Sequence, residues 1–96
     1  MPLDKLILEK RSEILTLARR HGAANIRVFG SAATGDFKPG SDIDFLVELE
    51  PGRSLFSLGA LWVDLQALLG CKVDVVTPNA LHWYIREKVL AESLPL

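Results

Sequence analysis

The sequence predicts an α/β (α+β) chain: a small mixed β-sheet of at least three strands flanked by helices. Three observations predict it. Short β-branched runs alternate with long segments of helical periodicity. Pro and Gly stand at nearly every junction between them. Hydrophobic residues make up 49% and charged residues 24% of 96 residues, a balance suited to one packed core over residues 1–96.

Residues 3–21 read as one amphipathic helix. Leu3, Leu6, Ile7, Ile14, Leu17 and Ala18 fall near one face. Arg19, Arg20 and His21 suit its C-terminal end, and Gly22 stops it. His21 is expected at the surface, and the basic cluster as a solvated face. Residues 24–29 form the first strand, with Ile26, Val28 and Phe29 supplying β-propensity. Gly30-Ser31 ends it, and Ser31 can cap a turn or short helix reaching Asp36. Residues 42–49 form the second strand, closed by Pro51-Gly52.

Residues 54–69 predict the second long helix, with Ser54 as N-cap and Gly70 as the stop. Leu55, Leu58, Trp62, Leu65 and Leu69 give its inward stripe, while Phe56, Leu61, Val63 and Leu68 add apolar surface elsewhere. A helix apolar on several sides is deeply buried or partly an interface. Trp62 is read as core. Residues 71–77 make the third strand, with Cys71 as a small apolar filler before it. Asn79 is placed as the cap of a last helix to about Leu94, built on Leu81, Ile85, Val89 and Leu90, with His82, Trp83 and Tyr84 partly exposed at its start. The short link between the first two strands allows an antiparallel pair. The helix between the second and third allows a parallel crossover.

Composition excludes several functions. One cysteine leaves no intramolecular disulfide and no Cys-rich zinc site. A net charge of −1 argues against direct nucleic-acid binding through a basic surface. No apolar run approaches the ~20 residues that span a bilayer, and no leader pattern opens the chain, so a cytoplasmic location is expected.

The chemistry concentrates in residues 30–47. Asp42 and Asp44 stand two apart in an apolar strand, so their carboxylates leave the same face and repel. Asp74 is a third acid inside a β-branched run. If the strands are neighbours, three carboxylates meet at one sheet end. Such oxygen-only donors suit Mg²⁺ or Mn²⁺. Two such ions can clamp the attacking and leaving oxygens of a phosphoryl displacement. Gly30 lets backbone approach a phosphate, and Ser31 offers a hydroxyl at the start of the next turn.

Gly30-Ser31, ten residues, Asp42-Ile43-Asp44 and a later Asp74 in KVDVVTP resemble the nucleotidyltransferase superfamily that includes DNA polymerase β. Within it, the chain is similar to the minimal nucleotidyltransferases (MNT domains) over nearly its whole length. The resemblance implies Asp42, Asp44 and Asp74 as catalytic and metal-binding residues, with Asp74 also activating the acceptor hydroxyl. It implies Gly30 and Ser31 as nucleotide-phosphate ligands, two Mg²⁺ ions, and a nucleoside triphosphate, ATP by analogy, as substrate. Relatives often carry Arg where this chain has Thr34; Lys38 is a candidate to replace that charge. The family further implies an antitoxin that attaches AMP to a tyrosine of a HEPN-domain toxin; an antitoxin acting by binding alone is the alternative. A partner protein or a homodimer would supply the acceptor surface, with Phe56, Leu61 and Trp83 as candidate contacts.

Overall fold

The computed structural model describes residues 5–34 and 42–96. Its elements run α1 (Lys5–Glu9), α2 (Arg11–Arg20), β1 (Ala23–Phe29), α3 (Ser31–Thr34), β2 (Ile43–Leu49), α4 (Leu55–Leu69), β3 (Val73–Val76), a 3₁₀ turn (Pro78–Ala80), α5 (Trp83–Glu92) and β4 (Leu94–Pro95). The sheet is mixed, in the order β3-β2-β1-β4. β1 and β2 are antiparallel, β2 and β3 are parallel, and β4 returns antiparallel to β1. The expected class and the pairing of the first three strands therefore hold, and β4 is an addition.

Alternation along the strands divides the sheet into two faces. Val28, Ile43, Phe45, Val47 and Val73 meet Ile7, Ile14, Ala18, Leu61 and Leu65 from the helices in one buried cluster. Leu46 points the other way yet is 1% exposed. The 3₁₀ turn packs against β2, and α5 against β1.

Four sequence expectations change. The first helix is two, broken at Lys10, while Ile7, Ile14 and Ala18 keep the inward face expected of them. His21 is more than a surface end: its Nε2 lies 2.6 Å from Asp64 Oδ2, tying the end of α2 to α4. Asn79 lies inside the 3₁₀ turn, and α5 begins after His82 instead.

The fourth change concerns α4. Its inward face carries Leu61, Leu65 and Leu69, whereas Leu55 is 80% exposed and Trp62 is 41% exposed. Leu61 is thus core and not a partner contact. The helix is apolar nearly all round, so periodicity selects no face. The indole N–H gives a physical reason for Trp62: it requires an acceptor, and at the sheet edge it donates to the Val73 carbonyl.

Helix α4 stops and starts as its sequence dictates. The Ser54 hydroxyl accepts from the Phe56 N–H at 3.2 Å, and Gly70 closes the other end at φ +68°. Ser54→Ala should cost about 1 kcal/mol, read as a fall in Tm of roughly 4–8 °C for a domain of this size. A Tm unchanged within error would show that the cap contributes nothing.

The C-terminus is held by polar bonds. Ser93 is 4% exposed. Its hydroxyl accepts from Arg27 Nε at 2.6 Å and donates to the Leu90 carbonyl at 2.8 Å. This anchor lets β4 pair with β1 although β4 has only two residues.

Candidate active site

The site forms where β1, β2 and β3 end side by side. Register places Phe29 beside Asp44, and Asp44 beside Asp74. Neighbours in register share a face, so both carboxylates leave the sheet on the face opposite the helical core. They stand close: a hydrogen bond to Asp74 is among the interactions that favour the protonated form of Asp44. Two carboxylates can share such a bond only if one holds a proton.

Asp44 is the carboxyl that the surroundings favour for that proton. Burial, then the charge of Asp74, then that of Asp42, and last the hydrogen bond to Asp74 push it up to about 6. The cost foreseen for acids in an apolar strand therefore falls mainly on Asp44.

Asp42 stands just before β2 and is half-buried. Its Oδ2 lies 3.7 Å from Lys72 Nζ, across the β2–β3 pair. Sequence reasoning gave Lys72 no role, although strand alternation puts it on the Asp74 face. Among the described residues, no three His, Cys, Asp or Glu side chains stand together closely enough to hold an ion. The structure thus brings Asp44 and Asp74 together and leaves Asp42 paired with Lys72.

Gly30 completes the row. It follows Phe29 at φ +72°, and a Cβ placed on it would lie 2.5 Å from Asp44 Oδ2. The missing side chain is therefore space that the Asp44 carboxylate uses. Ser31 opens α3 and is half-buried, and the Ala33 N–H donates back to the Gly30 carbonyl at 3.0 Å. Lys38 and the side chain of Thr34 lie outside the described residues.

The donor set fits a divalent cation of the magnesium type. All the candidate ligands are carboxylate oxygens, and such ions commonly take one or two carboxylates and leave the remaining positions to substrate phosphates and water. A bound cation would take the place of a proton on such a pair, because carboxylates ligate in their deprotonated form.

The comparisons decide the family. The sequence pattern of the nucleotidyltransferase domain matches residues 10–95. The chain belongs to the nucleotidyltransferase domain family. The protein adenylyltransferase MntA of Thermococcus cleftensis is 41% identical over 92 residues, covering 91% of this chain and 93% of its own length. A relative from Methanocaldococcus jannaschii is 38% identical over 88 residues, covering 92% and 95%. A solved structure described as a minimal nucleotidyltransferase superposes with a TM-score of 0.86 at 43% identity, over 94% of this chain and 92% of the other. A toxin–antitoxin structure with AMP-PNP shares the fold at a TM-score of 0.74 and 23% identity, over 88% of this chain and 69% of the other. This nucleotidyltransferase thus has the fold and family that Gly30-Ser31 and the three aspartates suggest. Among the described residues, no helix is long and apolar enough to cross a membrane.

Proposed function

We propose that this nucleotidyltransferase moves AMP from ATP to a hydroxyl of a protein partner, a tyrosine of a HEPN-type toxin, and so acts as an antitoxin. The observation that carries the reading is the Asp44–Asp74 carboxyl pair set directly beside the side-chain-free position of Gly30. The 41%-identical relative is a protein adenylyltransferase, and a fold neighbour is a toxin–antitoxin complex with AMP-PNP. Both support the choice of nucleotide and of acceptor class.

In this reading Gly30 and Ser31 receive the phosphates at the end of β1. Asp42, Asp44 and Asp74 would hold Mg²⁺, which would supply charge that offsets the phosphates and favours the deprotonated acceptor oxygen. Asp42 must exchange its Lys72 partner for that role, and Asp44 must release its proton. The acceptor oxygen attacks the α-phosphorus, the bond to the β-phosphate oxygen breaks, and pyrophosphate leaves. The acceptor proton passes to the Asp74 carboxylate, the most exposed of the three acids, and from there to solvent.

The test incubates the chain with ATP labelled on the α-phosphate, Mg²⁺ and the product of the neighbouring open reading frame. Label on the partner's tyrosine is the expected result. A stable complex that neutralises the partner and carries no label would overturn transfer and leave neutralisation by binding.

A further inference from the structure

Among the described residues β3 is the outer strand of the sheet, with no strand on one side of its backbone. The Ile43 N–H donates to the Lys72 carbonyl at 3.1 Å. In a parallel ladder this alternation turns the backbone of Lys72, Asp74 and Val76 toward β2 and that of Val73 and Val75 outward. At Val73 the outward groups are covered from α4. Gln66 Oε1 accepts from the N–H at 3.3 Å, and Trp62 Nε1 donates to the carbonyl. At Val75, among the described residues, no such cover exists.

A groove of about 370 Å³ opens at that point, lined by Leu55, Leu58, Gly59, Trp62, Asp74 and Val75. Its walls are apolar apart from Asp74. Gly59 contributes no side chain, and a Cβ placed there would meet no atom of the described residues within 4 Å. Leu55 stands 80% exposed above it.

We propose that the protein acceptor docks here as an extended segment added to the edge of β3, hydrogen-bonded to Val75. This rests on the transferase reading above. Order across the sheet carries it: Gly30 ends β1, Asp44 lies on β2, and Asp74 lies outermost on β3. A nucleotide held at Gly30 fills the inner side, so the acceptor comes from the β3 side. Unpaired strand-edge groups beside an apolar trough match an extended backbone better than a helix. Strand alternation then fixes the chemistry of the segment. The residue opposite Val75 turns its side chain to the α4 side, into the trough. Its sequence neighbour turns to the Asp74 face. The acceptor is therefore a hydroxyl residue with an apolar residue directly beside it in sequence.

The test uses a short peptide with tyrosine between two valines, ATP labelled on the α-phosphate, and Mg²⁺. Gly59→Leu fills the trough at an exposed helical position. It should raise the KM for the peptide roughly tenfold and leave the KM for ATP unchanged. A peptide N-methylated at the valine that meets Val75 should lose about tenfold in kcat/KM by losing a backbone donor. Equal kinetics for both enzymes and both peptides would overturn the inference while leaving transfer intact. Labelling of the neighbouring protein but not of the peptide would also overturn it. So would sedimentation showing that wild type pairs with itself through β3 and that Gly59→Leu does not. Absence of label on every acceptor removes the transferase reading itself, and the inference with it.

Discussion

Replacing Asp44 by Asn is expected to lower nucleotidyl transfer about a hundred- to a thousandfold, the scale of losing one electrostatic partner of a transition state. The chain should stay folded. At neutral pH without a divalent cation it should become more stable, and the sign follows from linkage. Asp44 sits at about 6 in the fold and near 4 in the unfolded chain. Between those values the native state binds more protons than the unfolded one, so stability falls as pH rises. The stabilising share of protonated Asp44 is complete below about pH 4 and is gone above about pH 6. Asn mimics the protonated form and escapes that loss. Because Asp44 is only partly buried, solvent screening leaves the gain at pH 7 on the order of 1 kcal/mol, or roughly 4–8 °C in Tm. The gain should vanish at pH 4. Mg²⁺ should raise the Tm of wild type and not of Asp44→Asn. Two results would refute the assignment: transfer retained in Asp44→Asn, or equal Mg²⁺ stabilisation of both proteins.

The reason Asp44 is singled out was half legible in the sequence. Acids at alternate positions of an apolar strand must share a face, and a third acid in a later β-branched run must find them if the strands are neighbours. The structure sets Asp44 against Asp74 as that argument requires. The partner of Asp42 was less visible. Lys72 lies at a position whose face was readable, but an ion pair across strands depends on where two flexible side chains stop. The inward face of α4 could not be read, because Leu55, Leu61, Trp62 and Val63 offer apolar residues on several sides. What turns α4 is the sheet edge, where Trp62 and Gln66 cover the outward groups of Val73. β4 carries no strand signal, since a two-residue segment ending in proline has neither alternation nor length. Its pairing follows from Arg27 and Ser93, residues 66 apart in sequence. Local pattern thus reported what the backbone decides, and missed what tertiary partners decide.

Gly30→Ala is expected to damage transfer more than stability, and a second glycine provides the control. Both Gly30 and Gly52 adopt positive φ, +72° and +87°. Alanine at either should cost about 1–2 kcal/mol, because Cβ crowds the backbone in that region. The surroundings differ. Among the described residues, a Cβ at Gly52 meets nothing within 4 Å, whereas one at Gly30 comes within 2.5 Å of Asp44 Oδ2. That contact is the end of a movable side chain, so the fold can absorb it by turning the Asp44 carboxylate away from its place beside Asp74. Displacing a reacting or charge-bearing group by about 1 Å costs on the order of a hundredfold in rate. The two variants should therefore melt at similar temperatures, both below wild type. Gly52→Ala should keep wild-type transfer, while Gly30→Ala loses about a hundredfold in kcat/KM. Loss of the proton-sharing pair gives a second readout: in Gly30→Ala, the fall of stability between pH 4 and 6 should shrink. Equal activity in the two alanine variants would mean that the space beside Gly30 serves only the turn, and that the position of Asp44 does not depend on it.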